Sequence, residues 1–281
     1  MSDLVRTISE LRDEVAFWRT EGHRVGLVPT MGFLHEGHLS LIENALGDCN
    51  RVITTIFVNP TQFGAHEDLD GYPKDLDRDL SMVERAGGHL VFVPNPAMMY
   101  PDGFATRVEV DGLTDIMDGA ARPGHFNGVT QIVSKLLNQA QADVAVFGEK
   151  DWQQLAIIRR MAHDLDFFTE IRGAPIVRDA YGLALSSRNF YLDEDQLEVA
   201  RKLNVILKKA AYDIAASEYP LEICKAAALD LGEAGFAEVD YVECRDAQTL
   251  QVVEKLSERP ARLFAAAKIG KARLIDNVAV I

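Results

Sequence analysis

Basic residues are in short supply in this chain: 29 Lys and Arg stand against 43 Asp and Glu, a formal net charge of −14 over 281 residues. A surface so poor in positive charge does not suit the phosphate backbone of nucleic acid, and no basic stripe offsets it. Cysteine is scarcer still. Cys49, Cys224 and Cys244 are odd in number and lack paired spacing, which argues against a disulfide framework or a thiolate metal cluster and for reduced thiols in the cytoplasm. Long apolar runs are missing too. The best candidate is interrupted by Lys135 and Asp143, so no membrane span is expected. The first 21 residues carry Asp3, Glu10, Asp13 and Glu14 and read as an amphipathic helix, not a signal peptide. What remains is 48% apolar and 26% charged, an ordinary globular composition with ample material for a core.

Apolar runs and helical patterns alternate over roughly the first 175 residues. Strands are expected at residues 24–28, 51–58, 89–93, 144–147 and 170–174, with helices at 39–45, 75–86, 128–139 and 152–165. That alternation predicts an α/β fold, a Rossmann-like domain whose mostly parallel sheet is covered on both faces. From about residue 179 the pattern changes. Asp193 and Gln196 mark a helix start, and Leu197, Ala200, Leu203, Leu207, Ala211 and Ile214 follow at helical spacing as a core stripe. Pro220 opens a second helix, which Gly232 and Gly235 are expected to end, and strands follow at 238–244, 262–269 and 273–281. The chain thus divides into residues 1–178 and a smaller α+β domain with an antiparallel sheet at 179–281.

The segment Pro29-Thr30-Met31-Gly32-Phe33-Leu34-His35-Glu36-Gly37-His38 lies at the first strand-to-helix junction. Two imidazoles three residues apart fall on one face of the first helical turn. That turn has free backbone N–H groups and the positive end of the helix dipole, a setting that attracts phosphate. A chance His-x-x-His, or a zinc site, would give the same pair, although no third metal ligand has obvious spacing. Three further loops carry suitable chemistry. Asn59 and Gln62 are neutral donors and acceptors suited to a small polar substrate, and Asn59-Pro60 is equally common turn chemistry. In Gly148-Glu149-Lys150-Asp151, Lys150 can neutralise phosphate charge and Asp151 can cap the next helix, with Gln154 a turn into it. Leu185-Ser186-Ser187-Arg188 is a polyphosphate clamp or an ordinary turn. His125 can touch substrate or cap a helix, and the acidic residues 67–79 can hold magnesium or simply be solvated. Loops 29–38, 59–64 and 148–154 each follow a strand, where parallel sheets collect ligands.

Taken together, six segments in order resemble the pantoate–β-alanine ligase family over essentially the whole chain. They begin at Pro29, Phe57, Arg122, Gly148, Gly182 and Arg273, the last reading Arg273-Leu274-Ile275-Asp276-Asn277. The resemblance implies an ATP-dependent ligase joining pantoate to β-alanine through a pantoyl adenylate, with release of AMP and pyrophosphate. It also implies Mg²⁺, a homodimer and a carboxy-terminal lid. By the same likeness, Met31 to His38, Gly148 to Asp151, Val177 and Leu185 to Arg188 contact ATP, while Asn59, Gln62 and Gln154 hold pantoate. His35, His38, Lys150 and Arg188 carry the catalytic roles. A nucleotidylyl transferase shares the histidine pair, and a non-catalytic nucleotide-binding module is disfavoured by Lys150 together with the Ser186-Ser187-Arg188 set. Phe33 stands where the family usually has a small residue, Trp152 where it has Phe or Tyr, and Arg78 interrupts the acidic stretch, leaving protein ligands for Mg²⁺ unassigned.

Overall fold

The computed structural model describes residues 2–64, 69–217 and 219–281. Its contacts divide the chain into two compact units, Met1–Glu149 with Ile157–Pro175, and Lys150–Ala156 with Ile176–Ile281.

In the first unit, short apolar and β-branched runs form β1 (Asp3–Val5), β2 (Val25–Thr30), β3 (Arg51–Ile56), β4 (Leu90–Phe92), β5 (Val144–Gly148) and β6 (Glu170–Ala174). They make one parallel sheet in the order β1-β4-β3-β2-β5-β6. Val25, Leu27, Val28, Val52, Ile53, Val144 and Val146 are buried, as expected of strands covered on both faces. The helices are α1 (Ile8–Thr20), α2 (Glu36–Leu46), α3 (Leu76–Arg85), the short α4 (Pro96–Met99) and α5 (Met117–Ala121), α6 (His125–Ala140), and α7 (Trp152–Asp164), whose first residues belong to the second unit. From β2 the chain builds outward through β3 and β4, then returns to lay β5 on the other side of β2. The switch point therefore lies between β2 and β5, where sheets of this kind leave a crevice at their carboxyl ends. The turn after β2 and Gly148 at the end of β5 both lie there.

One expectation fails at the amino terminus. The helix begins only at Ile8, because Thr7 and Glu10 form a capping box, and Asp3–Val5 instead extend the sheet beside β4. Three residues are too few to show strand alternation, so only the available edge of β4 reveals them.

The second unit packs α8 (Glu194–Ser217) and α9 (Pro220–Ala234) on the antiparallel strands β7 (Glu238–Asp246), β8 (Ala261–Ile269) and β9 (Ala272–Val280). Ala200, Leu203, Leu207, Ala211 and Ile214 bury one stripe of α8 against Leu231, Leu263, Ala265 and Ala267. Burial of each large aliphatic side chain is worth roughly 1.5–3 kcal/mol before the entropy of ordering it. Gly232 is internal to α9, contrary to expectation. Gly235, with φ +113°, is the residue that ends it.

Candidate functional site

The chain leaves β2 at Thr30 and turns through Gly32 (φ +84°) and Phe33 (φ +50°) before α2 begins at Glu36. A left-handed Phe is strained by about 1–2 kcal/mol, so the surroundings must hold it. Thr30 Oγ1 donates to the carbonyl of Thr55 at 2.6 Å and accepts from the amide of Gly32 at 3.2 Å. Asp79, on α3 and 1% exposed, accepts from the amides of Phe33 and Leu34, both at 2.8 Å. The guanidinium of Arg78 lies 5.2 Å from the centre of the Phe33 ring. Burial pushes the Asp79 carboxyl above its ordinary range, while the Leu34 and Phe33 amides and Arg78 pull it back. Asp79 is thus neither solvated nor offered to a metal. Its place on the buried face of α3 with Met82 and Val83, at helical spacing, is the signal by which the sequence could have disclosed it.

The start of α2, expected to present free amides, is largely capped by its own side chains. His35 Nδ1 accepts from the amide of Gly37 at 3.2 Å, and His38 Nδ1 accepts from the amide of His35 at 3.2 Å. The amides of His38 and Leu39 return to the carbonyl of His35. A nitrogen that accepts a hydrogen bond carries no proton, so each neutral ring bears its proton on Nε2. The rings lie 4.1 Å apart between centres. What this turn can present to an anion is therefore imidazole N–H and the helix dipole, rather than the amides of Phe33, Leu34, His35 and Gly37.

Beyond β3, Pro60–Gln62 form a short 3₁₀ turn. Asn59, 1% exposed, donates through Nδ2 to Gln62 Oε1 and to the carbonyl of Gly128, both at 3.0 Å. Its Oδ1 accepts from Thr61 at 3.0 Å and from the Tyr100 hydroxyl at 2.7 Å. Both ends of the Asn59 amide are thus occupied, and their effect is to orient Gln62. Gln62 Nε2 reaches Met31 Sδ at 3.0 Å, which joins this turn to the histidine turn. His125, the first residue of α6, contacts the carbonyl of Gln62 through Nδ1 at 2.8 Å and Arg122 through Nε2 at 2.9 Å. Arg122 can only donate, so His125 Nε2 accepts and Nδ1–H donates, the opposite tautomer to His35 and His38. Gly128 allows this approach: a β-carbon there would meet the Thr61 carbonyl oxygen at 2.4 Å and the Gln62 nitrogen at 2.5 Å. Tyr100, whose phenol is pushed up by burial, packs edge-on against Phe104 at 5.4 Å. No local pattern in the sequence marks Tyr100 as part of this cluster.

In the second unit, Lys150 and Asp151 lie in a 3₁₀ turn (Glu149–Asp151) that runs directly into α7. The Lys150 ammonium is 3.7 Å from the Asp151 carboxylate, with 16% of its side chain exposed. Trp152 anchors this piece: its indole N–H donates to the carbonyl of Ala247 at 2.9 Å, and Arg262 stacks 3.7 Å from its ring. Gln154 is half-buried on the first turn of α7. The amide of Leu185 donates to the carbonyl of Val177 at 2.9 Å, closing a turn that leads into Ser186. Ser186 caps the 3₁₀ segment Ser187–Tyr191 by accepting from the Arg188 amide at 3.2 Å.

Of the acidic stretch, Glu67 and Asp68 lie outside the described residues, while Asp70, Asp75 and Asp77 are exposed. Among the described residues no group of three or more His, Cys, Asp or Glu could hold a metal ion, and no helix is long and apolar enough to cross a membrane.

A family model described as Pantoate-beta-alanine ligase matches residues 3–279. The pantothenate synthetase of Dinoroseobacter shibae is 54% identical over 280 residues, covering 100% of both chains, and that of Mesorhizobium japonicum is 51% identical, covering 99% of this chain and 98% of that one. The crystal structure of pantothenate synthetase from Thermus thermophilus superposes with a TM-score of 0.92 at 42% identity, covering 99% of each chain. That of a pantoate-beta-alanine ligase from Francisella tularensis, complexed with beta-gamma ATP and beta-alanine, gives 0.82 at 32% identity, covering 100% of this chain and 98% of that one.

Proposed function

The chain belongs to the pantoate–β-alanine ligase family, and we infer from that membership and from its side chains that it condenses pantoate with β-alanine, using ATP. A carboxylate is a poor acyl donor to an amine, because oxide would have to leave. Attack of the pantoate carboxylate on the α-phosphorus of ATP forms an acyl adenylate and breaks the bond to pyrophosphate. The neutral amine of β-alanine then attacks the acyl carbon, the C–N bond forms, and AMP leaves with the electrons of the C–O bond. In-line transfer at phosphorus needs positioning and charge stabilisation rather than a protein nucleophile.

The residues take roles that fit this sequence. The Nε2–H groups of His35 and His38 donate to ATP in the first unit, where Met31, Gly32, Phe33, Leu34, Glu36 and Gly37 shape the turn and Gly148 and Glu149 end β5. In the second unit Lys150 and Arg188 supply positive charge, with Asp151, Val177, Leu185, Ser186 and Ser187 around them. Gln62 and Gln154 hold pantoate, and Asn59 orients Gln62. After its bonds to Asn59 and Met31, the Gln62 amide keeps one donor and one acceptor position for substrate. The observation that best supports this reading is the Met31–Gln62 contact, which brings the turn after β2 beside the turn that carries Gln62.

Magnesium bound to the triphosphate would neutralise charge on the pyrophosphate leaving group. This fits a set of described residues without a three-ligand cluster, in which Asp79 is taken by two amides. The protein is a cytoplasmic homodimer. Its three cysteines are free and buried, with thiols pushed up by burial to about 11 at Cys49 and Cys224 and about 12 at Cys244, in keeping with a reducing compartment.

Pantoate-dependent exchange of pyrophosphate with ATP, with AMP as the nucleotide product of the full reaction, tests the mechanism. Formation of ADP and phosphate, or an adenylyl group retained in the final product, would exclude it.

A further inference from the structure

The segment Arg273-Leu274-Ile275-Asp276-Asn277 takes no part in the chemistry above, yet Asp276 and Asn277 are buried polar residues, 3% and 2% exposed. They are neighbours in β9, so the alternation of the strand sends their side chains to opposite faces.

Asp276 accepts two bonds from Arg178, at 2.7 and 2.8 Å, and a third from Asn204 on α8 at 3.0 Å. Arg178 also donates to the carbonyl of Gly182 at 3.0 Å and bridges Ala184. Together with the Leu185–Val177 bond, these contacts close the turn that delivers Ser186. A bidentate guanidinium–carboxylate pair fixes direction as well as distance, and the Asp276 carboxylate, 2% exposed at its side chain, is held by it away from water. On the opposite face, Asn277 Nδ2 donates to the carbonyl of Lys150 at 3.0 Å, across 127 residues of chain. A neutral amide bonded to a main-chain oxygen leaves the ammonium charge untouched and sets only the orientation of the turn that carries it.

We propose that Asp276 and Asn277 are positioning residues of the adenylate-forming step: Asn277 sets the main chain of Lys150, and Asp276, through Arg178, sets the Ser186-Ser187-Arg188 turn, so that one dipeptide of β9 holds two phosphate-handling elements in register. This rests on the reading of Lys150 and Ser186 to Arg188 as the groups that meet the triphosphate.

The test compares the two half-reactions. Asn277→Ala slows pantoate-dependent ATP–pyrophosphate exchange on the order of 10- to 100-fold, the range expected when a reacting group is displaced by about an ångström. The same variant converts supplied pantoyl adenylate and β-alanine to pantothenate at the parent rate, since that step expels no pyrophosphate. Because Asn277 acts through Lys150, the double variant Lys150→Ala/Asn277→Ala is no slower in exchange than Lys150→Ala alone. Equal slowing of both half-reactions, or full additivity with Lys150→Ala, overturns the proposal and leaves Asn277 as a stabiliser of the fold. Should Asn277→Ala fail to fold, Arg178→Lys carries the test, because it keeps the charge and loses the bidentate geometry. Exchange slowed with the second half-reaction intact supports the proposal, and equal slowing overturns it. A parent enzyme without pantoate-dependent exchange would instead bring down the functional reading beneath it.

Discussion

The amide of His35 donates to Nδ1 of His38 at 3.2 Å, while His35 in turn accepts from Gly37, so the two imidazoles form the capping box of α2. In the proposed mechanism, structure and chemistry use different nitrogens of the same rings. Nδ1 holds the backbone, and the proton on Nε2 is the one proposed to meet ATP. The arrangement predicts that the two duties can be separated by mutation.

Asn offers an oxygen close to the position of the histidine Nδ1, without a counterpart to Nε2–H. His38→Asn therefore keeps most of the cap and loses the donor. Pantoate-dependent pyrophosphate release falls on the order of 100-fold, as for removal of one transition-state donor, while the urea midpoint stays near that of the parent. His38→Ala loses both, with a further stability loss of about 1 kcal/mol from the missing cap. A near-parent rate in His38→Asn would refute the Nε2 assignment.

Tyr100 is linked to Gln62, the proposed pantoate-binding residue, through Asn59: its hydroxyl donates to Asn59, and Asn59 donates to Gln62. Tyr100→Phe removes one neutral hydrogen bond, worth about 1 kcal/mol or some five-fold in affinity. Pantoate binding measured by calorimetry weakens by that factor, while Gln62→Ala weakens it further. If Gln62→Ala leaves pantoate affinity unchanged, Gln62 does not hold the acid.

Gly128→Ala sets a methyl group against the backbone of Thr61 and Gln62, at 2.4–2.5 Å before relaxation. Neither side can yield by a rotamer change, because both are main chain. A destabilisation of about 1–3 kcal/mol is expected from overpacking, accompanied by loss of pantoate affinity. Denaturant unfolding and pantoate titration check both effects, and a variant indistinguishable from the parent would show that the 3₁₀ turn is free to move.

Asp48 is held below the usual carboxylate range, first by hydrogen bonds from Arg172, which reaches both its oxygens at 2.8–2.9 Å, with Arg24 adding to the effect. A depressed folded-state value means that the pair stabilises the protein above the ordinary Asp value of 3.8 and loses that contribution as pH falls through the folded value. The gap in urea midpoint between the parent and Asp48→Asn is therefore constant near neutrality and closes in acid. A gap that widens on acidification contradicts the assignment.

Much of this molecule is written locally. The strand at Glu170–Ala174 and the start of α7 at Trp152 match their sequence expectations, and Asp75 caps α3 as its position at a helix start implies. Where expectation and structure part, the missing information lies far along the chain. Asp79 is 45 and 46 residues from the amides it grips, and Tyr100 is 41 from Asn59. In a helical pattern Asp79 is one more carboxylate in an acidic stretch. Only the packing of α3 on the turn after β2 converts it into a clamp.

Periodicity, capping residues and turn formers act over three or four positions, so the amino-acid order alone determined the parallel sheet, the later antiparallel one, and the loops that carry His35, Gln62, Lys150 and Ser186. Which polar groups remain available to a substrate was decided by tertiary structure. Hydrogen bonds such as those of Asn59 to Gly128, Arg178 to Asp276 and Asn277 to Lys150 span 69 to 127 residues. They form only once the folded chain has buried these groups, and a buried polar group must find its partner wherever the packing has put one.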